Sequence, residues 1–405
     1  MAVTFARGFR AGTAACGIKA FTTGSSSIPS DQRDDLCVIH SAHVCDTGGV
    51  FTTNKIKSAT VVIDQLHLQH NRVQALVINS GNANACTGAQ GFKDALQMAK
   101  LTADRLDLDP DQVLVSSTGV IGRYLPMNAV KAGIAEASTR LDAEHGMAAA
   151  RAIMTTDTVP KTAQRELELA GATVRVGGMC KGSGMIHPNM ATLLAYVTTD
   201  AAVEAGLMAK LAKPIADLSF NQVTVDGDSS TNDTFLLLAN GAAGNPPIRG
   251  GSVEAEQLEM AMLEVARRLA RAIARDGEGA TRMIGVRVQG AETDEEARMA
   301  ARAVASSSLV KTAVHGGDPN WGRIVCALGY SGAELALDKL HLSIGGLVVF
   351  ERGAGVDVDL SAVRHAFEQP EIEIVATLGL ANGTAEAWGC DLSEEYVRVN
   401  AEYTT

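Results

Sequence analysis

One threonine, Thr192, stands where a glycine-rich turn runs into a β-prone stretch, in the segment KGSGMIHPNMATLLAY at 181–196. Gly182 and Gly184 permit backbone conformations and close approaches that other residues cannot make, and Pro188 fixes its own φ. The branched and aromatic residues that follow predict a buried strand beginning at the threonine. The segment therefore delivers a single hydroxyl group to a strand end, beside a tight bend.

The glycine-rich turn also has two simpler interpretations. Most turns of this composition only lead a loop into a strand, and short motifs often match by chance. A phosphate-binding loop is disfavoured because the full glycine–lysine spacing of a P-loop is missing. Taken alone, the turn is best interpreted as a plain loop.

A second group of small residues, STGVIG at 117–122, follows a predicted strand at 112–116. Backbone amides flanked by small residues can point together at one oxygen, and such converging donors form an oxyanion hole. A strand-to-helix turn is the simpler interpretation of these six residues by themselves.

The whole 181–193 string resembles the self-cleavage site of the ornithine acetyltransferases, which are the glutamate N-acetyltransferases of arginine biosynthesis. The shared residues are Lys181, Gly182, Gly184, Met185, Pro188, Asn189, Met190, Ala191, Thr192 and Leu193. Seven further blocks resemble the family in the same order: 82–88, 117–122, 154–158, 226–233, 276–281, 317–322 and 400–405. These blocks span most of the chain, so the resemblance is not confined to one motif.

The resemblance implies that the precursor cleaves itself between Ala191 and Thr192. Residues 1–191 would form an α chain and residues 192–405 a β chain, and both would stay together as one catalytic unit. Thr192 would then be an N-terminal nucleophile. Its α-amino group, with a reference pKa of about 7.7–8.0, can act as base toward its own hydroxyl.

The implied reaction transfers an acetyl group from N2-acetylornithine to glutamate through an acetyl-Thr192 ester, which yields ornithine and N-acetylglutamate. No cofactor and no metal are implied. Whether acetyl-CoA also serves as a donor stays open, because no sequence feature decides it. The implied partners are these small substrates and a second copy, giving a heterotetramer of two α and two β chains.

Site residues are carried over from the resemblance. Thr118 and Gly119 are expected to form the oxyanion hole. The expected substrate-binding residues are Thr155, Lys181, Thr192, Glu278, Asn400 and Thr405. Lys181, close to Thr192 in sequence, suits either a substrate carboxylate or a lowering of the pKa of the Thr192 amine. Glu278 follows the longest helical pattern in a glycine-flanked bend that could aim a carboxylate; by itself it is best interpreted as an exposed loop residue, and the resemblance implies that it binds a cationic amino-acid substrate.

Two other functions remain alternatives. An N-terminal-nucleophile aminopeptidase could use the same self-cleavage and oxyanion donors, but it would need an open channel for a peptide. A noncatalytic protein could carry the turn as a structural feature only.

Alternating strand and helix patterns favour α/β layers. The resemblance adds a layered sandwich of helices around stacked sheets, in a self-processing, N-terminal-nucleophile-like enzyme. Periodicity predicts helices at 92–106, 127–140, 143–153, 202–218 and 252–275, and a capping box at 293–296 opens another. Strands are predicted at 59–64, 73–79, 172–176, 222–225 and 309–314, with a loop at 25–30.

Composition excludes several classes of function. The net charge of −11 and the lack of a lysine–arginine block oppose nucleic-acid binding. No signal peptide or membrane-length apolar run is present, so a cytosolic, soluble protein is expected. Seven scattered cysteines without CxxC pairs predict reduced thiols. Neither the His67–His70 pair nor the acidic stretch at 226–233 has the spacing of a metal site.

Overall fold

The computed structural model describes residues 2–23, 34–187 and 193–402. Ala191, Thr192, Thr405 and the loop predicted at 25–30 therefore lie outside the described residues. Within the described part of the chain, no helix is both long enough and apolar enough to cross a membrane. All seven cysteines are described, and none forms a disulfide.

The structure alternates strands and helices along the chain. The strands are β1 (Phe9–Ala14), β2 (Leu36–Phe51), β3 (Val73–Asn82), β4 (Val113–Val120), β5 (Lys161–Leu169), β6 (Ala172–Lys181), β7 (Leu194–Thr199), β8 (Thr234–Ala239), β9 (Met283–Ala291), β10 (His341–Ile344), β11 (Leu347–Glu351), β12 (Ala354–Gly355), β13 (Glu371–Thr377) and β14 (Gly383–Cys390). The helices are α1 (Ile18–Thr23), α2 (Ala59–His67), α3 (Gly88–Leu106), α4 (Met127–Thr139), α5 (Gly146–Ala152), α6 (Leu207–Asp217), α7 (Val253–Arg275), α8 (Asp294–Ser306), α9 (Ser308–Gly316), α10 (Gly322–Gly329), α11 (Leu360–Phe367) and α12 (Glu394–Glu402).

The larger sheet has the order β4-β3-β2-β8-β7-β6-β5, with β1 also paired to β2. Strand β2 joins its two halves, because the first part pairs with β1 and β3 and the part from Asp46 to Phe51 pairs with β8. The register of β2 against β3 shifts between His40 and Cys45. This long, irregular strand carries the sheet from one half into the other.

The two halves of this sheet face each other across a shared core. Apolar side chains from β2, β3 and β4 pack in one cluster with Leu194 and Tyr196 of β7 and Leu236 and Leu238 of β8. The alternate residues of β7 and β8 point the other way, into a core that α6 and α7 cover. Helices α3 and α4 cover the outer face of the other half. The result is a sandwich of helices around stacked sheets, which confirms the predicted fold class.

A second sheet has the order β12-β11-β10-β13-β9-β14 and packs against α8, α10 and α11. It begins directly after the C-terminal end of α7, and α12 follows its last strand. Trp388 of β14 belongs to the core beneath α7, so the two sheets are joined there. This connection returns α12 to the end of α7.

Two predicted strands are helices, and these predictions were wrong. Residues 59–64 lie in α2, whose N-cap Ser58 accepts a hydrogen bond from Val61 N at 3.4 Å. Residues 309–314 lie in α9, where Ser307 caps Val310 N in the same way. In both cases a serine cap and tertiary packing outweigh the β propensity of branched residues.

Other boundaries agree or shift. Helices α3, α4, α7 and α8 match their predictions closely, whereas α6 begins at Leu207 rather than at residue 202. The predicted strand at 222–225 forms only an isolated bridge from Val223 to Trp388. Half of the predicted capping box is present, since Thr293 accepts from Glu296 N at 3.1 Å while Glu296 Oε2 accepts from Glu334 N.

Replacing Thr293 with alanine removes the N-cap of α8. We expect the Thr293→Ala variant to lose about 1 kcal/mol of unfolding free energy, measured by denaturant titration. Thr293→Ser keeps the hydroxyl and should stay close to the wild type. Equal stability of the alanine variant and the wild type would contradict the capping role.

Candidate active site

A pocket of about 270 Å³ opens where the ends of several elements meet. Six of the predicted site residues line it: Thr118, Gly119, Thr155, Lys181, Glu278 and Asn400. These residues are spread over more than 280 positions of the chain, so the fold rather than the sequence brings them together. Their assigned roles remain predictions, and Ala191, Thr192 and Thr405 lie outside the described residues.

Lys181 is the last residue of β6, and only 5% of it is exposed. Its Nζ donates to Thr118 Oγ1 at 3.3 Å. Because the lysine fills a lone pair of this oxygen, the hydroxyl hydrogen of Thr118 stays available to another acceptor. A cation and a hydroxyl donor thus stand side by side at the pocket.

Gly119 follows Thr118 at the end of β4, and only glycine fits its position. Its φ is 130°, and a Cβ there would lie 2.2 Å from the carbonyl carbon of Gly81. This close approach places the end of β4 directly against the end of β3. Asn232 ties the same two strand ends together, because its Nδ2 donates to Ala83 O at 2.6 Å and to Ser117 O at 2.8 Å.

Thr155 lies in the turn that precedes β5, and a buried aspartate shapes that turn. Asp157 Oδ2 accepts from Thr155 N at 3.1 Å, and its Oδ1 accepts from Gly182 N at 2.7 Å. The same Oδ1 lies 2.6 Å from Nζ of the buried Lys161. Asp157 therefore connects the Thr155 turn to the residue directly after Lys181.

Glu278 lies just beyond the C-terminal end of α7. Its N–H donates to Ser183 O at 2.9 Å, and its Oε2 accepts from Asn400 Nδ2 of α12 at 2.8 Å. Gly184 packs against this carboxylate so closely that a Cβ would lie 2.2 Å from Oε2. The glycine-rich turn is therefore in direct contact with the residue predicted to recognise the substrate.

The acidic loop at 226–233 holds the chain on both sides of residues 188–192. Asp226 accepts from Met185 N at 2.5 Å and from Ile186 N at 2.8 Å, and Asp233 Oδ1 accepts from Leu193 N at 2.8 Å. The loop is therefore a hydrogen-bonded support for the chain on both sides of residues 188–192. Among the described residues, no cluster of three or more His, Cys, Asp or Glu side chains is arranged to hold a metal ion.

Burial sets the protonation behaviour of the site. It lowers the pKa of Lys181, and the carboxylate of Asp157 opposes that change. Burial also raises the pKa of Asp226, and it raises that of Asp233 far above the ordinary value. Asp157 behaves differently, because the ammonium groups of Lys161 and Lys181 outweigh its burial and hold its pKa below the usual range.

Two histidines near the site have structural partners. Burial lowers the pKa of His187 to about 4, with a further contribution from the Arg302 guanidinium that donates to its Nε2 at 3.0 Å. His315 contacts Asp391 Oδ2 at 2.8 Å and lies 3.3 Å from a carboxylate oxygen of Glu394. Neither histidine lines the pocket.

Sequence reasoning missed the roles of Asp157, Lys161 and Tyr396, three polar residues in or beneath the pocket. Asp157 falls inside the 154–158 block, but its link to Lys161 and to Gly182 has no spacing signal. Tyr396, which lines the pocket, enters because α12 docks against Gly279, where a Cβ would lie 2.4 Å from Tyr396 N. A buried lysine with two aspartates is visible only once the chain is folded.

Comparison with known proteins gives consistent matches along the chain. A family model described as the ArgJ family matches residues 10–405. Arginine biosynthesis bifunctional protein ArgJ of Symbiobacterium thermophilum is 49% identical over 403 residues, which cover 100% of this chain and 98% of that protein. The protein of the same name from Dehalococcoides mccartyi is 44% identical, with 100% and 97% covered. The crystal structure of the Bacillus halodurans protein argJ is 41% identical with a TM-score of 0.51, and it covers 52% of this chain and 100% of that chain.

Adding a methyl group at Gly184 should displace the Glu278 carboxylate. We expect the crystal structure of Gly184→Ala to show the Glu278 side chain rotated away from Asn400, with the 2.8 Å hydrogen bond broken. Such overpacking typically lowers the unfolding free energy by about 1–3 kcal/mol. Gly329→Ala is the control, because no atom lies within 4 Å of a Cβ there. An unmoved Glu278 in the Gly184 variant would contradict the close contact.

Proposed function

We propose, from the premise that the chain belongs to the ArgJ family, that this acyltransferase of arginine biosynthesis transfers an acetyl group from N2-acetylornithine to glutamate. The acetyl group rests on Thr192 between the two half-reactions. The products are ornithine and N-acetylglutamate. The relatives that match over the full length are named bifunctional arginine biosynthesis proteins, which agrees with a reaction that both releases ornithine and acetylates an amino acid.

The observation that carries this proposal is the opposition of charges in one small pocket. Lys181 supplies a cation beside Thr118, and Glu278, Asp226 and Asp228 supply carboxyl groups to the same pocket. N2-acetylornithine carries a carboxylate at one end and a side-chain ammonium at the other, so its charges complement this arrangement. A volume of about 270 Å³ suits a single amino acid rather than a peptide.

The chemistry begins with cleavage of the precursor. The hydroxyl oxygen of Thr192 attacks the carbonyl carbon of Ala191, the C–N bond breaks, and an ester forms in its place. Water hydrolyses this ester, which leaves the Ala191 carboxylate and the free α-amino group of Thr192. That amino group accepts the hydroxyl proton when Thr192 attacks the acetyl carbonyl, and it returns a proton to the departing amine of ornithine.

Negative charge develops on the carbonyl oxygen in each attack. The available hydrogen of the Thr118 hydroxyl and the backbone N–H of Gly119 are the proposed donors to it. The bond from Lys181 to Thr118 Oγ1 favours this orientation, because the ammonium occupies the acceptor side of the hydroxyl. The neutral α-amino group of glutamate then attacks the acetyl carbonyl, the bond from that carbon to Thr192 Oγ1 breaks, and the amine proton passes through the Thr192 amino group to Oγ1, which regenerates the hydroxyl.

The two products of self-cleavage are expected to remain associated through the larger sheet. Strands β6 and β7 lie on opposite sides of the proposed cut and pair along residues 176–181 and 194–199. Strands β2 and β8 pair across the same division of the chain. A heterotetramer of two such pairs stays a prediction.

The acyl donor that the protein accepts distinguishes the alternative functions. An assay that offers N-acetylornithine, acetyl-CoA or a peptide amide as the acyl source distinguishes transfer, dual use and an aminopeptidase. We propose N-acetylornithine as the donor, and the same assay decides whether acetyl-CoA is used as well.

Removing the Thr192 hydroxyl should abolish both proposed activities. We expect purified wild-type protein to give two fragments that meet at Ala191–Thr192, and Thr192→Ala to give one chain of full-length mass without transferase activity. Thr192→Ser keeps a hydroxyl and should still be cleaved. Intact-mass measurement checks all three, and a full-length chain from an active wild-type preparation would falsify the cleavage.

Removing the charge of Glu278 should weaken recognition of the acetyl donor. A charge-assisted hydrogen bond contributes about 1.5–3 kcal/mol, so kcat/KM for N-acetylornithine should fall by about 10- to 100-fold in Glu278→Gln. Self-cleavage should proceed, because the glutamine retains the shape of the side chain. Glu395→Gln is the matched control, since Glu395 is exposed on α12 and pairs there with Arg398. Normal kinetics in the Glu278 variant would place donor recognition elsewhere.

A further inference from the structure

A buried ion network lies beneath the pocket. The Nζ of Lys161 lies 2.6 Å from Asp157 Oδ1 and 2.5 Å from Asp276 Oδ2, and at most 7% of any of these three side chains is exposed. Asp276 also accepts from Thr158 N at 3.1 Å. Each of the two carboxylates therefore pairs with Lys161 and also accepts a hydrogen bond from at least one backbone N–H group.

The two aspartates of this network differ in what else they touch. Asp157 accepts from Gly182 N, which follows Lys181 directly, and from Thr155 N in the pocket wall. Asp276 contacts Lys161 and Thr158. Of these two aspartates, Asp157 is the one that bonds the residue directly after Lys181, and its carboxylate is among the principal electrostatic influences on that lysine, so Asp157 and Asp276 form a matched pair for a test.

Lys181 is almost completely buried, and water contributes little to the stability of its charge. The charged groups that face it are the carboxylates of Asp157, Glu278 and Asp233 and the ammonium groups of Lys161 and Lys19. Asp157 is the strongest of the favourable neighbours. Glu278 is the proposed partner of the substrate, and the pKa of Asp233 is raised far above its ordinary value, so neither is a dependable counter-ion.

The protonation of Lys181 decides what Thr118 can do. As an ammonium group, Lys181 is only a donor, and Thr118 Oγ1 must accept from it. The Thr118 hydrogen is then directed elsewhere and is available to an oxyanion in the pocket. As a neutral amine, Lys181 could accept that hydrogen, and the oxyanion donor would be lost.

We propose that Asp157 is a positioning residue of the acyl-transfer site: it holds Lys181 as a cation, and Lys181 in turn orients the Thr118 hydroxyl toward the developing oxyanion. This inference rests on the proposed function and adds a residue that acts through Lys181 without touching the substrate. Asp276 pairs with Lys161, as Asp157 does, but it does not hold Lys181 as a cation and so has no positioning role in the reaction.

The test compares Asp157→Asn with Asp276→Asn. In Asp157→Asn the amide oxygen can still accept from Gly182 N, but the side-chain NH2 group can no longer accept from Thr155 N, so the variant loses the negative charge and one backbone hydrogen bond. The pH dependence reports the loss of charge, because the loss of a neutral hydrogen bond does not change the charge near Lys181. Loss of one opposite charge moves a neighbouring pKa by about one unit or more, and here it moves the pKa of Lys181 downward. The basic limb of the kcat/KM profile should therefore shift to lower pH by about one unit, and kcat above that limb should fall about tenfold. The limb of Asp276→Asn should coincide with that of the wild type.

Two outcomes overturn the proposal: an unshifted limb in Asp157→Asn, or an equal shift in both variants, which would show only a loss of network stability. A measurement on the wild type covers the case in which Asp157→Asn does not fold. With ¹⁵N-labelled lysine, the ammonium signal of Lys181, assigned by its absence in Lys181→Arg, should persist throughout the pH range in which the wild type is active. Loss of that signal while the enzyme is still fully active would also overturn the proposal.

These measurements separate the inference from the proposed function. If the wild type transfers no acetyl group from N-acetylornithine to glutamate, the function fails, whatever the ammonium signal shows. If the wild type is active and the Asp157→Asn limb is unshifted, only the role of Asp157 fails.

Discussion

The ion pairs of Lys161 with Asp157 and Asp276 hold together the three segments that build the pocket. Asp157 lies in the turn that carries Thr155, Asp276 lies two residues before Glu278, and Gly182 joins the network through its N–H. Burying these charges is unfavourable, and the arrangement persists only because every charge has a partner. Removing one partner of such a pair typically costs about 3–5 kcal/mol, since it leaves an uncompensated buried charge. Burial of these charges lowers the free energy of unfolding, while the ion pairs fix the relative positions of the segments that line the pocket.

The described sequence motifs account for the parts of the site but not for its assembly. Glycines at 119 and 184, the acidic loop at 226–233 and the bend at Glu278 could all be recognised before folding, and all border the pocket or hold it. The layered α/β class followed from alternating patterns and from the family resemblance. In contrast, Lys161 and Asp276 are 115 positions apart, and no periodicity predicts their contact.

The two strand predictions that turned out to be helices were wrong for the same physical reason. Residues 59–64 and 309–314 contain branched residues that favour strands when judged locally, yet each segment follows a serine whose side chain caps a helix. In α2, Val61 and Ile63 are buried because the helix lies against β4 and α3. Tertiary burial and capping together exceed a propensity difference of at most about 1 kcal/mol. Sequence spacing alone could not reveal which neighbours these segments would meet.

The loop at 226–233 bonds the chain on both sides of residues 188–192, so a cut between Ala191 and Thr192 would leave both sides attached. Under the proposed self-cleavage, the residues before the cut stay attached through Met185 and Ile186, and those after it through Leu193. Pairing between β6 and β7 joins the same two segments through the sheet. Because these contacts do not include the Ala191–Thr192 bond, the proposed cleavage would leave both flanking segments attached to the pocket. A nucleophile produced by this cut would not have to be recruited from elsewhere, and positioning of this kind lowers the entropic cost of acyl transfer.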